Sequence, residues 1–139
     1  MEAIRDEDYV DFGISFQSIL VDHLNIVLKE KGVEEQDVRK DICETFLLGL
    51  GNFIDRYWFE YEGQRVHPML AFSENHLDVH TPLEELGTVL FAPGDFSQRE
   101  YAVGVVADFF EDNEEEIPGI VTGIVGEEEE DDYEVDDMG

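Results

Sequence analysis

The sequence predicts an α+β fold: a helical hairpin, a small antiparallel sheet of about three strands, one or two further short helices, and an acidic C-terminal tail. Three observations lead there. Apolar residues recur at helical spacing over 14–31 and again over 37–57. The period then changes to short aromatic and aliphatic runs punctuated by Gly63 and Pro68. Residues 101–139 hold 15 acids and no base. A chain of 139 residues fits one domain with a real core, so 1–126 is expected to be globular and 127–139 to be tail.

Met1 to Gly13 is acidic with a few anchors, Ile4, Tyr9, Val10 and Phe12, and is expected on the surface, partly packed. From Ile14 to Lys31, Phe16, Leu20, Leu24, Val27 and Leu28 share one helical face, widened by Ile19 and Ile26. Lys29 and Lys31 suit the negative end of that helix, and Gly32 supplies its stop. From Asp37 to about Tyr57, Val38, Ile42, Phe46, Leu50 and Ile54 repeat every four residues, with Leu47 and Phe53 beside them, and this side is expected to face the core. The linker between the two helices is short, which favours an antiparallel hairpin. Gly49 and Gly51 inside the second helix predict a tight helix–helix crossing, because a close approach offsets the propensity cost of glycine.

YWFEY and QRVHPMLAF flank Gly63 and predict a two-stranded hairpin, with Pro68 restricting the second strand to an edge or a bulge. Thr81-Pro82-Leu83-Glu84 combines a capping box with proline in the first turn and predicts a short helix to about Leu90. A second capping box, Ser97 to Glu100, starts a helix with Ala102, Val105, Val106, Phe109 and Phe110 on one stripe. Ile117, Ile120, Val121, Ile124 and Val125 predict a strand returning to the hairpin.

The formal charge is −28, from 36 acids against eight Lys and Arg. Such a chain repels nucleic acid and anionic membrane surfaces and attracts basic proteins, among them proteins that handle nucleic acid. The charge is uneven: residues 1–100 carry 21 acids and eight bases, a net of −13, and residues 101–139 a net of −15. Adaptation to a high-salt cytoplasm is the alternative source of acidity, but it predicts a more even spread. Cys43 is the single cysteine, so no internal disulfide forms. The N-terminus has no basic stretch followed by an apolar run, no apolar run is long enough to span a bilayer, and the cytoplasm is the expected compartment.

The tail is the strongest charge feature. Glu127, Glu128, Glu129, Glu130, Asp131, Asp132, Glu134, Asp136 and Asp137 make nine carboxylates in eleven residues. Wound as a helix, that run would place one charge per ~1.8 Å, close to the ~1.7 Å of duplex DNA. Repulsion between carboxylates four apart opposes an isolated helix. Extended, the charges lie roughly 4 Å apart and can still engage a basic groove.

Other motifs are less specific. His76, Asp78 and His80 have metal-like spacing, but the polar residues before them and Thr-Pro after them predict a loop, and further ligands such as His23, Cys43 or His67 would have to come from elsewhere. Cys43 lies mid-helix beside Ile42, where a small buried hydrophobe is the usual role. Gly49-Leu-Gly51-Asn52 is no phosphate loop, because it does not join a strand to a helix. No cofactor is implied. Trp58, with Tyr57, Phe59 and Tyr61, forms an aromatic block suited to a core or to an interface.

Three functional readings follow. The first is a non-enzymatic acidic protein that docks on a basic protein and blocks or modulates it by charge attraction or mimicry. The second is an interaction module of the immunity or adaptor kind that binds through Trp58, Tyr61 and the hairpin edge, with the tail only solubilising. The third is a small metalloprotein or enzyme using His76 and His80.

Overall fold

Strand β1 (Glu2–Arg5) is followed by helix α1 (Asp8–Glu30), helix α2 (Gln36–Asp55), strands β2 (Phe59–Tyr61), β3 (Gln64–Val66), β4 (Phe72–Ser73) and β5 (Thr88–Phe91), and helix α3 (Gln98–Glu111). A 3-10 turn at Leu83–Glu85 precedes β5. The computed structural model describes residues 1–94, 96–111 and 119–126. Among them the architecture is α+β, with three helices, a mixed sheet in the order β1-β5-β4, and a separate β2–β3 hairpin. β1 runs parallel to β5, with Glu2 opposite Thr88 and Arg5 opposite Phe91. β4 runs antiparallel to β5, with Phe72 opposite Leu90.

The expected antiparallel sheet is therefore corrected. The β2–β3 hairpin forms as anticipated, with Glu62 and Gly63 both at positive φ, the geometry of a tight two-residue turn whose twist suits the strands. It is not part of the three-stranded sheet. Pro68 lies between β3 and β4, outside both strands. The helix expected from Thr81 to Leu90 is only one 3-10 turn. Gly87 at φ +87° ends it, and the Thr-Val-Leu-Phe run behind that glycine extends as β5. Residues 119–126 carry no strand, so the returning strand is absent there; its first residue, Ile117, lies outside the described residues. Residues 2–13, expected to be surface with partial packing, supply β1 and the opening of α1.

α1 closes as the sequence indicates. Gly32 at φ +94° lets its own N–H reach Lys29 O and the Val33 N–H reach Leu28 O, the paired bonds that cap a helix at a left-handed residue.

The helices bury different rows from those expected. In α1 the innermost row is Tyr9, Gly13, Gln17, Val21 and Asn25, while Phe16, Leu20, Leu24, Val27 and Leu28 flank it half-buried. In α2 the inner row is Arg39, Cys43, Leu47 and Gly51, and Val38 and Phe46 are exposed. α3 decides the difference. It packs against both helices, most extensively α2, and a row containing Cys43 and Gly51 admits it more closely than a row of Ile and Phe. On α3 itself Ala102, Val105, Val106, Phe109 and Phe110 are all buried, as the periodicity predicts, and with Val21, Cys43 and Leu47 they form the core.

The tight crossing is at Gly51 and faces α3, not α1. A Cβ there would lie 2.8 Å from Arg99 Cα and 2.9 Å from Arg99 N. Gly51→Ala is expected to cost about 2 kcal/mol through overpacking, read as a lower urea midpoint. Gly49 is the control, since a Cβ there meets nothing within 4 Å. Gly49→Ala is expected to stabilise by up to ~1 kcal/mol through helix propensity.

Asp55 joins the end of α2 to the start of α3. A carboxylate is unfavourable at the C-terminus of its own helix, but its Oδ1 accepts from Gln98 N–H at 2.9 Å and its Oδ2 from Arg99 N–H at 2.9 Å, at the positive end of α3. The Ser97 hydroxyl also donates to it, at 2.8 Å. α3 thus begins where the second capping box predicts, with a cap borrowed from α2.

Candidate functional site

The apolar residues displaced from the core gather on one side of α2 and beyond its end. Val38, Phe46 and Phe53 are exposed and fall at spacings of eight and seven, close to whole helical turns. Past the helix, the Tyr57 ring meets the Phe53 ring edge-on at 4.7 Å between centroids. Trp58, 45% exposed, stands just before β2 on the hairpin side that carries Arg65, while Phe59 and Tyr61, 66% exposed, lie on the other side of β2. Arg65 on β3 holds its guanidinium 3.8 Å from the centroid of the Trp58 ring, a cation–π contact that fixes an otherwise solvent-facing indole. The aromatic block is thus a surface feature. Such exposure is informative because Trp and Tyr held at a surface are the residue types most enriched among interface anchors.

The charge on this face is graded. The hairpin carries Glu60, Glu62 and Arg65, and Arg56 at the end of α2 balances the local charge. The N-terminal half of α2 and the loop before it expose Glu34, Glu35, Asp37 and Asp41. An aromatic centre with little net charge and an acidic flank is the usual division between a packed interface centre and its steering rim.

A buried polar chain stiffens the opposite side of the helices. The Gln17 amide donates to Gln98 O at 2.7 Å and Gln98 Oε1 at 2.6 Å; the Gln98 amide donates to the Tyr9 hydroxyl at 3.4 Å; and that hydroxyl donates to Leu70 O at 3.1 Å. Burial raises the Tyr9 hydroxyl above its ordinary pKa, the Gln98 bond opposes the shift, and Asp55 adds to it. A raised folded-state value favours the protonated form, so this stabilisation is complete below the unfolded value near 10 and is lost as pH rises through the folded value. Tyr9→Phe is expected to cost about 1 kcal/mol at pH 7 by stranding the Leu70 carbonyl. Urea midpoints above pH 10 should then fall less steeply for the variant than for the parent chain.

The histidine segment is a loop. Asp78 Oδ1 accepts from His80 N–H at 2.7 Å and from the Thr81 hydroxyl at 3.0 Å. These bonds, His80 first, hold its carboxyl below the usual range. The side chain thus shapes its own turn. Among the described residues no group of three or more His, Cys, Asp or Glu is arranged to hold a metal ion. His23 and His67 are exposed on α1 and after β3, and Cys43 is buried in α2. Glu127 to Asp137, the expected partner-binding tail, lie outside the described residues.

No helix among the described residues is long and apolar enough to cross a membrane. No family model matches the chain, and neither does any curated protein or any solved structure.

The aromatic block of the sequence places Trp58 and Tyr61 on one hairpin, exposed on its opposite sides. The periodicity places Phe46 and Phe53 toward the core, but both are exposed. The signal that could have separated them is the pair of small residues Cys43 and Gly51, eight apart on one side of α2, which marks where a neighbouring helix approaches.

Proposed function

We propose that this chain is a non-enzymatic binding protein that docks on a basic surface of another protein and blocks or modulates it. Its contact centre is built from exposed aromatic residues, Phe46 and Phe53 on α2 and Trp58 and Tyr61 on the hairpin. The observation that carries this reading is the exposure of Trp58 and Tyr61 on a hairpin held outside the main sheet. Trp and Tyr are the residue types most enriched among interface anchors. The partner's basicity follows from the net charge of −28, which disfavours acidic and nucleic-acid partners. A protein that handles nucleic acid fits that chemistry well.

In this reading the two parts of the chain divide the work. Aromatic burial sets the lifetime of the complex, and long-range charge, including the tail's nine carboxylates, sets how fast it forms. The chain is immobilised, native lysate is loaded at low ionic strength, and retained proteins are eluted with a salt gradient and identified. Basic proteins should be held by the parent chain. Residues 1–126 alone should hold the same proteins and release them at lower salt. The Trp58→Ala/Tyr61→Ala chain should lose them. Equal retention by that double variant rejects the aromatic face, and loss on truncation alone assigns binding to the tail.

A further inference from the structure

A groove of about 540 Å³ lies between α1 and the β4–β5 edge of the sheet, away from the aromatic hairpin. Phe12, Phe16 and Ile19 of α1 face Phe72 and Leu90 across it. Three of these side chains form an aromatic cluster: the Phe72 ring takes Phe12 edge-on at 5.8 Å and Phe16 edge-on at 6.0 Å between centroids. The volume lies within the range of small-molecule sites, and a mainly apolar wall with a few polar groups is their usual lining.

The charged groups on the lining select the occupant. Asp8 and Glu74 stand on it, and no Lys, Arg or His does among the described residues. An anionic ligand would meet two carboxylates and no cation. A neutral apolar ligand would fill the walls and leave the carboxylates unused. A cation with an apolar body satisfies both, because ring faces and carboxylates each attract a desolvating ammonium. A second copy of the chain is a poor occupant, since two bodies of charge −28 repel.

We infer that this groove is a binding site for small amphiphilic cations, an aromatic or alkyl body carrying an amine. The body lies among Phe12, Phe16, Phe72 and Leu90, and the ammonium lies toward Asp8 and Glu74. The site is separate from the protein-binding face and does not depend on it.

Three probes with one body and three charges test it in NMR titrations of the full chain: 4-phenylbutylamine, 4-phenylbutanol and 4-phenylbutyrate. The amine is protonated at neutral pH. It should bind about tenfold tighter than the alcohol through the added ring-face and carboxylate attraction. The carboxylate probe should not bind measurably. Ser15→Trp, which places an indole in the groove from α1, should abolish binding of amine and alcohol alike. Asp8→Asn/Glu74→Gln should reduce the amine to the level of the alcohol. Asp37→Asn/Asp41→Asn removes the same total charge elsewhere and should leave the preference intact. No binding by any probe, equal binding of amine and alcohol, or the same loss from both double variants overturns the site. Concentration-dependent dimerisation that Ser15→Trp removes would assign the groove to a second copy and overturn it as well.

Discussion

Replacing Arg39 with methionine is expected to destabilise the chain by about 3 kcal/mol, among the largest single effects in the structure. Arg39 is only 5% exposed. Its Nε donates to Asn25 Oδ1 at 2.8 Å, and one terminal nitrogen donates to Val33 O at 3.0 Å and Glu34 O at 2.7 Å. One guanidinium therefore ties α1, the connecting loop and α2 together. Methionine preserves much of the stem and leaves those acceptors facing an apolar chain, each at a cost of roughly 1–3 kcal/mol before water re-enters from the loop side. Lysine should recover only part of the loss, because a single ammonium on a flexible stem does not reproduce the planar fork. Urea midpoints at neutral pH measure both variants.

The second large effect is on binding. Trp58→Ala is expected to weaken the complex with the basic partner by at least ~30-fold, the scale of a dominant interface anchor, chiefly through faster dissociation. Tyr61→Ala should act in the same direction. Arg65→Ala should cost only a few-fold, since it removes the cation that steadies the indole and leaves the indole itself. None of these changes should move the urea midpoint far, because each side chain is exposed in the free chain. Surface plasmon resonance on the partner identified by salt elution separates the two rates. Truncation after Gly126 should change the association rate instead.

The legible parts of the fold are those in which local chemistry and tertiary packing agree. On α3 Ala102, Val105, Val106, Phe109 and Phe110 share one stripe and bury together, leaving only Tyr101 and Val103 exposed among its large apolar residues. Glu62-Gly63 is a turn whatever surrounds it, and Gly32 ends α1 by the conformation only glycine adopts readily. α2 was ambiguous because apolar residues occupy two adjacent rows. Which row faces inward depends on α3, whose approach over Gly51 is a long-range fact. α1 hides its inner row for a related reason: Gln17 and Asn25 look like surface residues until Gln98 and Arg39 supply their partners. β1 is four residues long with charged ends, and its only described strand partner, β5, lies more than eighty residues away.

The candidate site follows the same division. Trp58 and Tyr61 were visible as an aromatic block, but not which way they faced. The groove between α1 and β4–β5 had no sequence signature, since Phe12 and Phe72 meet only through tertiary structure.

Trp58 is the chain's single tryptophan, so its fluorescence reports on the proposed contact without a label. Mixed with its basic partner, the chain is predicted to show a blue-shifted Trp58 emission and strong protection from iodide quenching, as the indole leaves water for the partner's surface. Unchanged emission and unchanged quenching in a complex that demonstrably forms would rule out Trp58 as a contact with the partner.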